Sequence, residues 1–319
     1  VRPPAPIPAP LLRTALRQEG LLSARQCDEQ GVDHGRRARL VRSGRLLAVQ
    51  RGVLDAAPTL TAAAPARLVV DPAQRRRRAA WLALLATGQD AIAVGACALA
   101  LLGVEGLPQH IRPEAALPGA SHRRPRGSVV VRSFDAGMPV VVVRGARVAP
   151  PLWALAQAVC ELDRDHAVAL LDSALHRRLL PRGVDPVRHL LRGRRGAASV
   201  RPWLDLADAR SASPLETWAR LQCHDAGVGP DELQVPVRRA DGRVVARGDL
   251  GWWMRDGRLL VVELDGVGPH GTPDALFRDR ARQNAITATG RVDLLRFTAR
   301  DVLRGDVVAP AVAAHLARA

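Results

Sequence analysis

The run Leu259-Leu260-Val261-Val262-Glu263-Leu264-Asp265 leaves the chain little freedom there. A run of this kind, five of its seven residues apolar, reads as a buried strand whose side chains alternate between faces. Glu263 and Asp265 then project to one side, and Leu260, Val262 and Leu264 to the other. Two carboxylates at the end of a buried strand are costly unless a cation neutralises them. Upstream, Arg247 to Met254 reads as an antiparallel partner, with Asp256-Gly257 as the turn signal. A two-residue loop sets Asp249 opposite Leu264, away from the acids. A three-residue loop, Arg255-Asp256-Gly257 with Gly257 left-handed, sets it opposite Glu263. That second register is expected, because opposed Cβ atoms lie about 5 Å apart and two carboxylates can then share a divalent ion. Asp249 and Glu263 on opposite faces of the sheet would remove the metal site.

The ordered set Gly248-Asp249-Leu250, Val262-Glu263-Leu264-Asp265-Gly266, His270, Asp279-x-x-Arg282 and Leu295-Arg296-Phe297-Thr298 resembles a bacterial domain-of-unknown-function family. That family is related to very-short-patch-repair endonucleases, within the PD-(D/E)xK nuclease superfamily. The resemblance covers roughly residues 211 to 305. It implies a restriction-endonuclease-like α/β/α domain over 211–319, with Mg²⁺ or Mn²⁺ on Asp249, Glu263 and Asp265, and hydrolysis of a phosphodiester. His270 either takes the water proton or caps the helix that follows. Arg282 and Arg296 steady the phosphate or an acidic neighbour, although Asp279 and Arg282, three apart on a helix, also suit an ordinary intrahelical pair. The superfamily lysine is absent, Asp265 stands at its place, and the chain contains no lysine at all. Its work passes to His270, an arginine or the metal. The repair endonucleases usually carry an uncharged residue where Glu263 stands.

Ser213-Pro214-Leu215-Glu216 is a capping box with proline at the first helical position. In the related nucleases an acid on this helix sits near the metal, so Glu216 either closes the cap or joins the site.

The front of the chain has another design. After a proline-rich leader, 1–10, helical spacing runs from Leu11 to Glu19. Ser23 to Gln26 is a capping box opening a helix that ends at Gly31, and Asp33 caps a third running to Ser43. Arg45 to Leu54 reads as a small strand pair. This is the layout of a winged helix-turn-helix over 11–60. Arg36, Arg39 and Arg42 recur every three positions, and with Arg37 and Arg45 they form the set expected to meet DNA phosphates or guanine edges; a merely solvated face is the rival reading. Arg39-Leu40-Val41-Arg42-Ser43-Gly44-Arg45 and Arg51-Gly52-Val53-Leu54 resemble the N-terminal domain of AbiEi-type antitoxins, with Leu54 in place of the usual aromatic. That resemblance implies binding of promoter DNA to repress a toxin operon.

Between these ends, 75–192 reads as a mixed α/β middle domain and 193–210 as a linker. The four arginines from Arg75 to Arg78 read as the wet side of a helix entry. The whole is an α/β multidomain chain of 319 residues with a formal charge of +16. From residue 211 onward 15 Arg face 14 Asp and Glu, so the first 210 residues carry +15, a distribution that suits a front approaching a polyanion. Cys27, Cys97, Cys160 and Cys223 form no C-x-x-C pair and fit a reducing cytoplasm. The apolar stretch 91–104 is too short to span a bilayer, so no membrane partner is expected. Two functions follow. One is a metal-dependent DNA endonuclease; the other is a catalytically inactive DNA-binding regulator, or the antitoxin of a type IV toxin–antitoxin pair with its toxin as partner. The trio of acids favours the first and the missing lysine the second.

Overall fold

Ser23, Asp33, Asp71, Asp163, Ser213 and Thr298 each accept a hydrogen bond from the third residue of the helix they open, so the helix starts are written locally. The computed structural model describes residues 5–63, 71–118, 127–133, 137–239, 241–266 and 290–318. It is a mixed α/β protein with two units, Val1–Leu162 with Arg182–Arg201, and Asp163–Pro181 with Pro202–Ala319.

The first unit opens with α1 (Ala9–Arg17), β1 (Leu21–Ser23), α2 (Ala24–Glu29), α3 (His34–Arg42), β2 (Leu47–Gln50), β3 (Val53–Asp55) and α4 (Ala57–Ala63). The strands form a sheet of order β1-β3-β2. Leu11, Ala15, Leu22, Cys27, Val32, Leu40 and Leu46 fill its core. The capping box at Ser23 is reciprocal, with Gln26 returning a contact to the Ser23 N–H. β1 is an addition to the sequence reading, since three residues are too few to display alternation.

Next come α5 (Pro72–Thr87), β4 (Ile92–Ala93), α6 (Gly95–Leu102), β5 (Glu114–Leu117), β6 (Val130–Ser133), β7 (Val141–Val143), β8 (Ala146–Val148) and α7 (Pro151–Ala158). Their strands form a five-stranded sheet of order β6-β5-β4-β8-β7. The arginine run on α5 is not a wet face. Arg76 donates to the carbonyls of Leu107 and Pro108, Arg77 pairs with Glu19 at 2.6 Å, and Arg78 donates to the Glu19 carbonyl and pairs with Asp55 at 2.6 Å. Arg77 and Arg78 tie α5 to Glu19 before β1 and to Asp55 at the end of β3, and Arg76 ties it to the loop after α6.

α8 (Arg164–His176) belongs to the second unit, whereas α9 (Asp185–Leu190) and α10 (Ala197–Val200) belong to the first. The expected middle domain 75–192 is therefore corrected: its α8 portion packs elsewhere, because Asp172, 1% exposed, accepts from Thr217 Oγ1 and Arg220 Nη2 at 2.8 Å each. The expected linker 193–210 is corrected too. Val200 and Leu204 are buried, and α10 continues into a 3-10 turn, Arg201–Leu206, whose polar Gly-Arg-Arg-Gly approach concealed the apolar spacing behind it.

The second unit continues with α11 (Pro214–Asp225), β9 (Glu232–Arg238), β10 (Val244–Trp253), β11 (Leu259–Asp265), β12 (Val292–Thr298), α12 (Ala299–Arg304) and α13 (Val308–Leu316). Its sheet has the order β12-β11-β10-β9, antiparallel except for the parallel pair β11 and β12. Leu250, Trp252, Leu260 and Val262 pack with Ala219, Cys223, Val302 and Val308 on one face, and Val235, Val237, Leu259 and Val261 cluster on the other. β9 escaped the sequence reading because Pro236 interrupts its alternation. Proline is tolerated there because β9 is an edge strand.

Candidate acidic site and basic surfaces

The β10–β11 hairpin turns through Arg255-Asp256-Gly257. Met254 and Arg258 close it with a 2.8 Å hydrogen bond, and Gly257 has φ +81°, a conformation that costs glycine nothing. The ladder runs from Trp253 opposite Leu259 to Leu250 opposite Val262, and one further step sets Asp249 across from Glu263. There a side chain takes over from the backbone. Asp249 Oδ2 accepts the Leu264 N–H at 2.8 Å, which fixes that carboxylate at the mouth of the hairpin.

Strand alternation gives Glu263 and Asp265 to the face of Val261, opposite the Val262 side. On the neighbouring parallel strand Arg296 stands in register with Glu263 and follows Leu294 on the same face. Its guanidinium lies 3.1 Å from Asp265 Oδ1 and 3.7 Å from Glu263 Oε2. Glu263 is 6% exposed, so this neighbouring positive charge offsets part of the cost of burying a carboxylate.

Of the two roles open to Glu216, the cap is the one its contacts show. Its Oε2 accepts the Ala212 N–H and its Oε1 the Ser213 hydroxyl, each at 2.9 Å, closing the entry to α11. The same Oε2 accepts from Gln234 Nε2 at 2.9 Å, and that amide reaches Asp249 Oδ1 at 3.5 Å. Gln234 was invisible to sequence reasoning. It sits opposite Asp249 in the β9–β10 register with φ +54°, a left-handed conformation that costs a non-glycine residue about 1 kcal/mol or more. Glu216 and Asp249 thus share one amide, and Glu263 and Asp265 share one guanidinium. Among the described residues no three Asp, Glu, His or Cys side chains converge as a ready metal cage. His270, Asp279 and Arg282 lie outside the described residues.

The basic set of the first unit is divided. Arg36 donates to the carbonyls of Gly31 and Pro6, and Arg37 donates to those of Ala24 and Val32 and pairs with Asp28, so both brace the fold. Arg45 is half-buried, while Arg39 and Arg42 are exposed. An open pocket of about 660 Å³ runs between α3 and the β2–β3 turn, with His34, Arg37, Arg42 and Arg51 among its walls. Arg51, in the Arg51-Gly52 turn, is an addition to the expected DNA-facing set.

The first unit also holds a second buried glutamate. Glu114, 3% exposed, lies 3.0 Å from Arg132 Nε and accepts from Gln157 Nε2 at 3.2 Å. Burial, reinforced by the charge of Glu161, pushes its carboxyl up to about 7 against the pull of Arg132. Burial likewise raises the Cys27, Cys97 and Cys223 thiols, which leaves them poor metal ligands at neutral pH. No helix of the described residues is long and apolar enough to cross a membrane.

No family model matches the chain. Two curated relatives, the uncharacterized proteins Rv2248 of Mycobacterium tuberculosis strain H37Rv and MT2308 of strain CDC 1551, are each 30% identical to it over 204 residues. The match takes in 63% of this chain and 73% of each relative.

Proposed function

The chain belongs to one family with these two mycobacterial proteins, and from that premise we propose that it binds DNA through its first unit and hydrolyses phosphodiester bonds with a divalent ion in its second. The observation that carries the reading is the placement of Asp249 at the mouth of the β10–β11 hairpin, beside the strand end that presents Glu263 and Asp265 to Arg296. The mixed sheet with α11, α12 and α13 on one face supports a restriction-endonuclease-like core. The succession α1, β1, α2, α3, β2, β3 supports a winged helix-turn-helix in residues 11–60.

The donor set fits Mg²⁺ or Mn²⁺, because every ligating atom is a hard oxygen. Mg²⁺ is commonly held by one or two carboxylates, with water and substrate phosphates completing its shell, so the pair Asp249 and Glu263 suffices while Arg296 engages Asp265. Bound there, the ion lowers the pKa of a water and offsets charge building on the scissile phosphate. The chain's own groups prepare the place. The Leu264 N–H orients Asp249, Gln234 holds Glu216 toward it, and Arg296 supplies the fixed positive charge that no lysine provides. An arginine cannot act as a base, so its part is electrostatic. His270 remains the proposed proton acceptor. Arg39, Arg42 and Arg51 are the proposed contacts to DNA phosphates.

Plasmid cleavage with Mg²⁺ or Mn²⁺ tests this. Asp249→Asn and Glu263→Gln are expected to lose cutting by about 100-fold or more while still retarding DNA in a gel. One observation favours a second reading: Arg296 already answers Glu263 and Asp265, as in a site kept without turnover. Wild-type protein that retards promoter DNA but never cuts it would make the chain a cytoplasmic regulator of the antitoxin kind, with a toxin as partner.

A further inference from the structure

Two arginine-rich stretches of the first unit meet opposite fates. On α5, Arg76, Arg77 and Arg78 are held by carbonyls or carboxylates of the same unit. Around α9 and α10, Arg192, Arg195 and Arg201 are exposed. An open pocket of about 460 Å³ is lined by Asp185, Arg188, His189, Arg192 and Arg201. Arg188 is braced, its Nε 3.6 Å from Asp185 Oδ1 and its Nη1 donating to the Arg201 carbonyl at 3.4 Å. The side chains of His189, Arg192 and Arg201 make no hydrogen bond or ion pair with another described residue. Arg182 and Arg195 add exposed charge nearby in sequence, and Asp185 is the sole carboxylate between residues 182 and 201.

Arg188 on α9 and Arg192 in the turn that follows it line the same pocket. With Arg188 answered by Asp185, the exposed guanidiniums of Arg192 and Arg201 favour an anion, and the phosphates of a nucleic-acid backbone are anions of the kind they would hold. We infer that this pocket is a second DNA-backbone contact, made of residues different from those of α3 and the β2–β3 turn. It rests on the reading that the chain binds DNA, and it extends the footprint to a surface that recognises phosphate without reading bases.

The test is fluorescence anisotropy of a labelled duplex of about 25 base pairs between roughly 50 and 200 mM salt. Arg192→Gln/Arg201→Gln is expected to weaken binding about tenfold at 0.1 M salt and to flatten the log–log salt slope by roughly 2, near 0.9 for each phosphate no longer neutralised. Both side chains are exposed, so the double variant should melt with the wild type. If it keeps the wild-type affinity and slope while Arg39→Gln/Arg42→Gln does not, the inference falls and DNA binding stands. If the wild type fails to bind duplex at low salt, both fall. Calorimetric titration with inorganic phosphate is the remaining arm: a saturable site abolished in the double variant, with DNA affinity unchanged, would make the pocket a small-anion site and overturn the inference.

Discussion

Glu114 and Glu263 occupy nearly the same position in two different sheets. Each is buried on one strand of a parallel pair, β5 beside β6 and β11 beside β12, and each is answered by an arginine of the neighbouring strand, Arg132 or Arg296. In each unit a glutamine amide also lies across two acids: Gln157 between Glu114 and Glu161, Gln234 between Glu216 and Asp249. The difference is one of access. The front cluster of Glu114, Glu161, Arg132 and Gln157 is sealed by Gly95, whereas the rear acids lie at a hairpin mouth. A buried glutamate with an arginine is therefore an ordinary way to pin two parallel strands. What marks the rear cluster is its place at the mouth of a hairpin, where the Leu264 N–H holds Asp249.

The seal should be the costliest feature to break. Gly95 has φ +50°, and a Cβ there would fall 2.4 Å from Glu114 Oε1 and 2.7 Å from Gln157 Nε2. Gly95→Ala combines left-handed strain with overlap against a fixed polar cluster, so a loss of roughly 3 kcal/mol in urea unfolding of the first unit is expected. An alanine tolerated without loss would mean that the front cluster is open like the rear one.

The next effect is on pH dependence. The Glu114 carboxyl is raised from 4.5 to about 7, chiefly by burial, so the folded state holds an extra proton between those values. Its stability contribution is greatest below pH 4.5, falls as pH rises toward 7, and is level above that. The span is on the order of 2–3 kcal/mol. Unfolding of Glu114→Gln at pH 5 and pH 8 should lack this slope. Equal slopes in variant and wild type would sink the assignment.

In the rear cluster the expected signature is uptake of an ion. Calorimetry with Mn²⁺ should show binding at least tenfold weaker in Glu263→Gln, about 1.4 kcal/mol, and no comparable response in Glu114→Gln. Equal Mn²⁺ binding by the two variants and the wild type would erase the distinction between the clusters.

What the sequence disclosed follows from how local each signal is. The Asp256-Gly257 turn, with alternation on both flanks, was enough to set Asp249 against Glu263, and the caps at Ser23, Asp33 and Ser213 were read from neighbouring residues. Features made by distant partners were not legible. Nothing near Arg75 to Arg78 announces Glu19 and Asp55, and nothing near Arg36 announces the Pro6 carbonyl, so a spacing of three put a bracing arginine among those expected to meet DNA. Gln234 follows the same rule, because its role comes from strands that pair across the sheet, whereas Arg296 was expected to meet a phosphate or an acidic neighbour and does meet Asp265 and Glu263.

The smallest predicted effect concerns Gln234, where two contributions of similar size oppose each other. Its φ of +54° costs about 1 kcal/mol that glycine would not incur, while its amide makes a charge-assisted hydrogen bond to Glu216 that contributes roughly 1.5 kcal/mol. Gln234→Ala loses the amide and keeps the strain, so it should destabilise the second unit by about 1–2 kcal/mol. Gln234→Gly loses the amide and sheds the strain, so it should lie about 1 kcal/mol above the alanine variant, close to wild type. Gln157, absent from the positive-φ residues, has no such strain, and Gln157→Gly should be no better than Gln157→Ala. If glycine and alanine behave alike at position 234, the left-handed backbone is not what the amide holds in place, and the rear cluster is no more strained than the front one.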